Sequence, residues 1–428
     1  MRMHNKKNIL VFPCGSEIGL EIYRSLENSI HFNLIGASSV DDHGKFVFEK
    51  YISGLPFFHQ ENFIEIINSI ISDYNIDFIY PTMDAVINFF AKNKEKFNAE
   101  IISSSFETTE ICNSKEKTYE TLKKIVTTPK VFDTIDEISE YPVFAKPKIG
   151  YGSRGAKRLN NKNELIQHLQ EVPDCIVTEY LPGKEYTVDC FTDFLGELKF
   201  SSARERKRTM NGISVNTVSV KNNIKFQNMA SLINDNIKFN GSWFFQVKEN
   251  QHKEIVLMEI ACRLAGSSAL FRNLGVNFAS LNLFNALKYK TEIFLNDFEI
   301  ELDRALNNKY KTNLQYNIAY IDYDDTIVLN GNEVNTKLIS LIYQFKNQNI
   351  KTVLITRHRG DLIESLSKLR LSQLFDEIIH LKNSEKKSDF IQSFNAIFID
   401  DSFSERLDVY KNCKIPVFSL DSIESLFK

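Results

Sequence analysis

Lys146-Pro147-Lys148-Ile149-Gly150-Tyr151-Gly152-Ser153-Arg154-Gly155 follows directly on the strand-like run Val143–Lys146. Glycines at 150, 152 and 155 let a loop bend sharply and bring backbone N–H groups close to an anion. Lys146 and Lys148 add the positive charge that a polyphosphate needs. A stretch of this kind standing alone is equally well a plain turn, so its neighbours decide the reading.

Three neighbours bear on it. In Glu179-Tyr180-Leu181-Pro182-Gly183-Lys184-Glu185, one strand ends and the next begins. A chain crossing there offers backbone groups to a nucleobase edge and a carboxylate to ribose hydroxyls; the plain alternative is a surface hairpin. Ala203-Arg204-Glu205-Arg206-Lys207-Arg208 reads either as guanidinium forks for phosphate or substrate carboxylate, or as a solvated edge strand. Gln246 lies in a strand, and Glu259 lies in Met258-Glu259-Ile260-Ala261-Cys262-Arg263. Oxygen ligands on paired strands can hold Mg²⁺ among phosphates, although a lone Glu on a strand is usually only exposed.

In this order and spacing the set resembles the ATP-grasp superfamily of carbamoyl-phosphate-synthase-like and amino-acid ligases, over roughly residues 1–295. The resemblance implies that Lys115 and Lys146 are the two nucleotide lysines, with Lys148, Gly152 and Ser153 on the flap that follows. It makes Glu179, Tyr180 and Leu181 the adenine hinge and Glu185 the ribose acid. Gln246 and Glu259 become metal ligands, Arg263 the phosphate-facing arginine, and Arg204 and Arg206 substrate contacts. Pro81-Thr82-Met83-Asp84 resembles the strand end of the domain that opens such enzymes. One departure stands out. The family usually places Asn two residues after the metal-binding Glu, and here Ala261 cannot ligate a metal. The implied chemistry is ATP-dependent phosphorylation of a carboxylate and attack on the acyl phosphate by an amine-type acceptor. Positioning and charge neutralisation carry most of that catalysis.

A second pattern begins at Tyr320-Ile321-Asp322-Tyr323-Asp324-Asp325-Thr326. An apolar strand delivers two carboxylates spaced by two into the loop at its C-terminal end, the edge where open α/β sheets place ligands. The strand Thr352–Ile355 then ends at Thr356, Lys386 and Lys387 follow, and Ala396–Ile399 ends at Asp400-Asp401. One such Asp is ordinarily a cap or turn residue; the coincidence of all these positions speaks against that. The order resembles the haloacid-dehalogenase-like (HAD) phosphohydrolases, over about 315–428. The resemblance implies Asp322 as nucleophile, Asp324 as general acid/base, Thr356 as phosphate-binding hydroxyl, and Lys386 or Lys387 as the charge-stabilising lysine. Asp400 and Asp401, with Asp322 and Asp324, would hold Mg²⁺.

The rest of the chain fits this frame. Its 428 residues exceed one core and imply several domains. The expected division is an α/β Rossmann-like pre-ATP-grasp domain at 1–111, an α+β ATP-grasp domain at 112–299, a linker at 300–317 and a HAD-like α/β domain at 318–428. The fold class expected is thus α/β and α+β multidomain. A net charge of −3 gives no reason to expect a nucleic-acid partner. The six cysteines are scattered, which suits a reducing cytoplasm rather than a disulfide framework. No run of eighteen apolar residues is present to span a membrane. Partners are expected to be a small carboxylate, an amine-type acceptor and a phosphorylated small molecule. Three functions are open: a bifunctional ligase and phosphatase, a phosphatase with a nucleotide-binding but inactive ATP-grasp part, and a ligase with a structural HAD part.

Overall fold

The computed structural model describes residues 6–150, 152, 154–306, 310, 312–392 and 394–427. Its internal packing divides the chain into two units, 1–307 and 308–428.

The first unit opens with a five-stranded parallel sheet in the order Lys50–Ile52, Phe32–Ala37, Lys7–Phe12, Phe78–Pro81, Glu100–Ile101. The helix Glu17–Leu26 starts where Ser16 accepts the Gly19 N–H, and Glu17 stands in its first turn. Ile18, Ile22 and Leu26, four residues apart, bury one stripe of that helix. The core they enter also holds Phe271, Phe278 and Leu283, from far along the chain. The boundary expected near residue 111 is therefore not a break in packing.

Two further sheets follow. A four-stranded antiparallel sheet runs Val131–Phe132, Cys175–Glu179, Val143–Pro147, Lys157–Leu159. A six-stranded antiparallel sheet runs Ile255–Ala261, Gly241–Glu249, Glu185–Thr192, Leu198–Met210, Ile213–Ser219, Glu301–Asp303. In the six-stranded sheet Val188, Cys190, Ala203, Trp243, Phe245 and Leu257 share a core with Phe226, Ala230 and Ile233 of the helix Ile224–Asn236. Alternation along each strand sends Thr187, Asp189, Arg204, Arg206 and Gln246 to the opposite face.

Of the two readings of Ala203–Arg208, the solvated edge does not hold for Arg204 and Arg206, which are 2% and 8% exposed on a strand paired on both sides; Lys207 and Arg208 are exposed. The segment 300–317 is not a linker throughout, because Glu301–Asp303 pairs with Asn216–Val218 and closes the sheet edge.

The second unit is a five-stranded parallel sheet in the order Glu377–His380, Lys351–Thr356, Ile318–Ile321, Ala396–Ile399, Val417–Phe418. Period-two alternation sorts its core onto two faces. Ala319, Ile321, Leu354, Ile397 and Ile399 pack with Leu338, Leu341 and Phe345 of the helix Thr336–Asn347. Tyr320, Val353, Ile355 and Phe398 pack with Val409 of the helix Phe403–Cys413. Covered on both faces, the sheet offers its strand ends as the place for chemistry.

Candidate functional site

A cavity of about 430 Å³ lies in the first unit. Its wall includes Lys115, Gly152, Arg204, Arg206, Gln246, Glu259 and Arg263, and from the N-terminal sheet Ser16, Glu17, Thr82 and Asp84. The register explains the convergence. Glu259 pairs with Gln246, Gln246 with Thr187, and Thr187 with Arg204, so one row across four strands carries these side chains.

The arginines are held from behind. Arg204 donates through Nε to Asp189 at 2.7 Å, yet its buried Nη1 has no partner. Arg206 bonds Glu185, Gln246 and the Gly212 carbonyl, and its Nε is likewise buried and unpaired. Burial pushes the Arg206 pKa down from the ordinary arginine value. A buried donor without a partner costs roughly 1–3 kcal/mol, which an anion in the cavity would relieve. Arg263 grips Asp84 with two bonds, 2.7 and 2.9 Å, and lies over the Phe244 ring. Burial works against its charge, but Asp84 outweighs burial and raises its pKa.

Lys146 is almost fully enclosed. Its ammonium donates to the Tyr119 hydroxyl at 2.7 Å and to the Met258 carbonyl at 3.1 Å. Burial brings its pKa down to about 8; Glu259 opposes this shift, and the neighbouring Lys115 adds to it. Lys115 is tied to the Gly-rich loop twice, through its backbone N–H to the Lys148 carbonyl and through Nζ to the Gly150 carbonyl. Gly152 has a φ of 62°, where a side chain would be strained. Ser153 lies outside the described residues.

Other expected contacts stand apart from the cavity wall. Lys148 pairs with Glu116 at 2.8 Å. Glu179 accepts the Lys130 N–H at 2.9 Å, and Leu181 is buried. Tyr180 lies under Arg158, 4.6 Å from the ring centre, and near Lys248. Glu185 is occupied by Arg206 and lies 3.9 Å from Lys248. Sequence reasoning missed Arg304, which follows the edge strand, lines the cavity and meets Glu17, the Ser214 carbonyl and Ser267.

In the second unit the central strand ends at Asp322. Lys387 donates to Asp322 at 2.5 Å and to Asp400 at 2.6 Å. Thr326 donates to Asp322 and to Asp401 and accepts the Asp401 N–H. Oxygens of Asp322, Asp400 and Asp401 lie within 4.8 Å of one another. Burial raises the Asp322 pKa, and burial together with Asp322 raises Asp400 to about 7. Burial opposes the charge on Lys387, but Asp322 and Asp400 outweigh it and lift its pKa. The alternatives left by sequence thus separate: Lys387 is 4% exposed inside the cluster, whereas Lys386 is 64% exposed and 3.7 Å from Asp408. Asp324 is not in the carboxylate cluster; it bonds His358 at 2.9 Å, and so does not join the metal-type set expected for it. Thr356 accepts the His358 N–H at 3.1 Å.

The first unit's architecture has known counterparts. A family profile described as ATP-grasp in the biosynthetic pathway with Ter operon matches residues 171–317. The biotin carboxylase domain of 2-oxoglutarate carboxylase from Hydrogenobacter thermophilus aligns with a TM-score of 0.58 at 15% identity, over 69% of this chain and 72% of that one. The L-amino acid ligase of Bacillus licheniformis aligns with a TM-score of 0.55 at 18% identity, over 67% and 75%. The first unit has the ATP-grasp fold. A D-alanine–D-alanine ligase from Fusobacterium nucleatum is 32% identical over 91 residues, 21% of this chain. The chain spans about a third of the length of that curated relative, 32%. Within the ATP-grasp unit the matched profile runs through Glu259 and Arg263 and ends beyond Arg304. No helix among the described residues is long and apolar enough to cross a membrane.

Proposed function

We propose that the ATP-grasp unit is an ATP-dependent, ADP-forming ligase that joins a small carboxylate to an amine-type acceptor. The observation that carries this reading is the pair of buried, unpartnered arginine nitrogens, Arg204 Nη1 and Arg206 Nε, in residues that line a cavity with Glu259 and Gln246. That donor set suits an oxyanion. Bound ATP would supply the phosphoryl group that activates the carboxylate. Lys115, Lys146 and the Gly-rich loop would hold its phosphates, and the 179–185 segment its base and ribose. Lys146 is prepared for that task, because an adjacent phosphate restores the charge that burial disfavours. Arg204 and Arg206 would orient the acid, and Arg263, fixed by Asp84, would stabilise charge on the transferring group.

Mg²⁺ would rest on Glu259 and Gln246. Only one of these is a carboxylate, and Ala261 adds no ligand. This favours a second reading in which the unit binds nucleotide without turning it over. ADP release that requires both an acid and an amine supports ligation. If Lys146→Ala binds ATP as tightly as wild type, the nucleotide assignment is wrong.

For the second unit we propose a Mg²⁺-dependent phosphohydrolase of the HAD type. The carboxylates of Asp322, Asp400 and Asp401 fit a divalent cation, which would screen the carboxylate nucleophile from a phosphate dianion. An Asp322 oxygen attacks phosphorus to form an aspartyl phosphate, and Asp324 protonates the departing oxygen. Water then attacks the aspartyl phosphate as Asp324 takes its proton. Lys387 and Thr356 hold the phosphate oxygens. Release of phosphate from p-nitrophenyl phosphate, lost in Asp322→Asn, tests this.

A further inference from the structure

The phosphohydrolase reading leaves one well-placed side chain without a task. We infer that His358 is the positioning residue of Asp324, holding the general acid/base by a hydrogen bond from Nδ1–H through both halves of the reaction. The inference rests on that reading and deepens it.

His358 Nδ1 lies 2.9 Å from one Asp324 oxygen and 3.2 Å from the other. The ring is fixed from several sides. Its backbone N–H donates to the Thr356 hydroxyl at 3.1 Å, and its carbonyl bonds His380 Nε2 at 2.8 Å. The Tyr323 ring meets it edge-on at 5.1 Å, and Tyr323 is itself held by Ser365 at 2.7 Å. Gly360 completes the seat: a Cβ there would come within 2.9 Å of His358 Nε2. Asp324 itself is 51% exposed, so without His358 its carboxylate would sample many orientations in water. A hydrogen bond that restricts it keeps the acid near its working geometry.

The chemistry needs such a partner twice. In the first half the Asp322–phosphorus bond forms, the ester P–O bond breaks, and the proton on Asp324 passes to the leaving oxygen. The ionised Asp324 then accepts a hydrogen bond from His358 Nδ1–H. In the second half water gives its proton to one Asp324 oxygen as it cleaves the aspartyl phosphate, while the other oxygen still accepts from Nδ1–H. One contact serves both states.

The test uses the whole chain with Mg²⁺ and two esters. p-Nitrophenyl phosphate leaves as a phenolate that needs little protonation; an alkyl phosphate leaves as an alkoxide that needs it fully. For His358→Ala we expect kcat/KM, which reports the first half alone, to fall about tenfold or more on the alkyl ester and to stay within about twofold on p-nitrophenyl phosphate. His358→Asn, whose amide can donate from nearly the same place, should recover most of the loss. Gly360→Ala, which crowds the ring but removes no polar group, should reproduce part of it. Equal losses of kcat/KM on both esters, or none on either, would overturn the assignment. If wild type cleaves neither ester, the phosphohydrolase reading falls and the role of His358 with it.

Discussion

Replacing Lys146 by Met should make the ATP-grasp unit more stable at neutral pH while removing its grip on nucleotide. The residue is 6% exposed, and burial depresses the ammonium pKa from 10.5 to about 8. Below pH 8 both folded and unfolded chains carry the proton, and the folded state bears the full cost of the buried charge. Between 8 and 10.5 the unfolded chain binds more protons, so stability rises with pH through that window. At 1.36 kcal/mol per pKa unit the cost is roughly 3 kcal/mol at pH 7 and roughly 2 kcal/mol at pH 9. Met removes that cost but strips the Tyr119 hydroxyl and the Met258 carbonyl of a donor, which gives back roughly 1–2 kcal/mol. The net expectation is a gain of about 1–2 kcal/mol at pH 7, smaller at pH 9. The chain has a single tryptophan, Trp243, buried in this unit, so urea unfolding followed by its fluorescence reports the right part of the molecule. A Lys146→Met variant clearly less stable than wild type at pH 7 would refute the reasoning, as would a pH dependence of the opposite sign.

Three other outcomes follow from the same geometry. Lys387→Met leaves Asp322 and Asp400 facing each other uncompensated and should cost the second unit roughly 3–5 kcal/mol, whereas exposed Lys386→Met should change stability by less than about 0.5 kcal/mol. Thermal unfolding of the two variants separates these. Asp84→Ala frees a half-buried Arg263 and should lower stability by about 1–3 kcal/mol and weaken ligation more than nucleotide binding, measured as ADP release against ATP affinity. Chelation of divalent ions should abolish phosphate-ester hydrolysis, and added Mg²⁺ should restore it; hydrolysis indifferent to chelator would remove the metal from the account.

The sheets were legible because burial leaves its pattern in the residues, alternation where one face is covered and an unbroken apolar run where both are. Tyr320 and Phe398 belong to one buried face and Ile321 and Ile399 to the other, so Ile318–Ile321 and Ala396–Ile399 read as short apolar runs. The strand ends that carry Asp322, Thr356 and Asp400 were legible for the same reason. What stayed hidden depends on pairing between distant segments. Glu301–Asp303 is three residues long and polar, with no signature of its own, so its partnership with Asn216–Val218 and the approach of Arg304 to the cavity could not be read. Lys386 and Lys387 are adjacent and identical in type, and only the backbone path decides which ammonium turns inward. His358 is separated from Asp324 by 34 positions, and nothing local marks a histidine after a strand as that carboxylate's partner. The charged run at Arg204 and Arg206 left two readings open because hydropathy does not register the counter-charges of Asp189 and Glu185.

The central claim is that one chain holds two independent phosphate-handling centres. Its most direct test is a paired assay of acid- and amine-dependent ADP release and of Mg²⁺-dependent ester hydrolysis on wild type, Glu259→Ala and Asp322→Asn. Each substitution should silence its own reaction and leave the other within about twofold of wild type, because each residue belongs to a different unit with its own core. Loss of both activities in either variant, or survival of both in each, would contradict it.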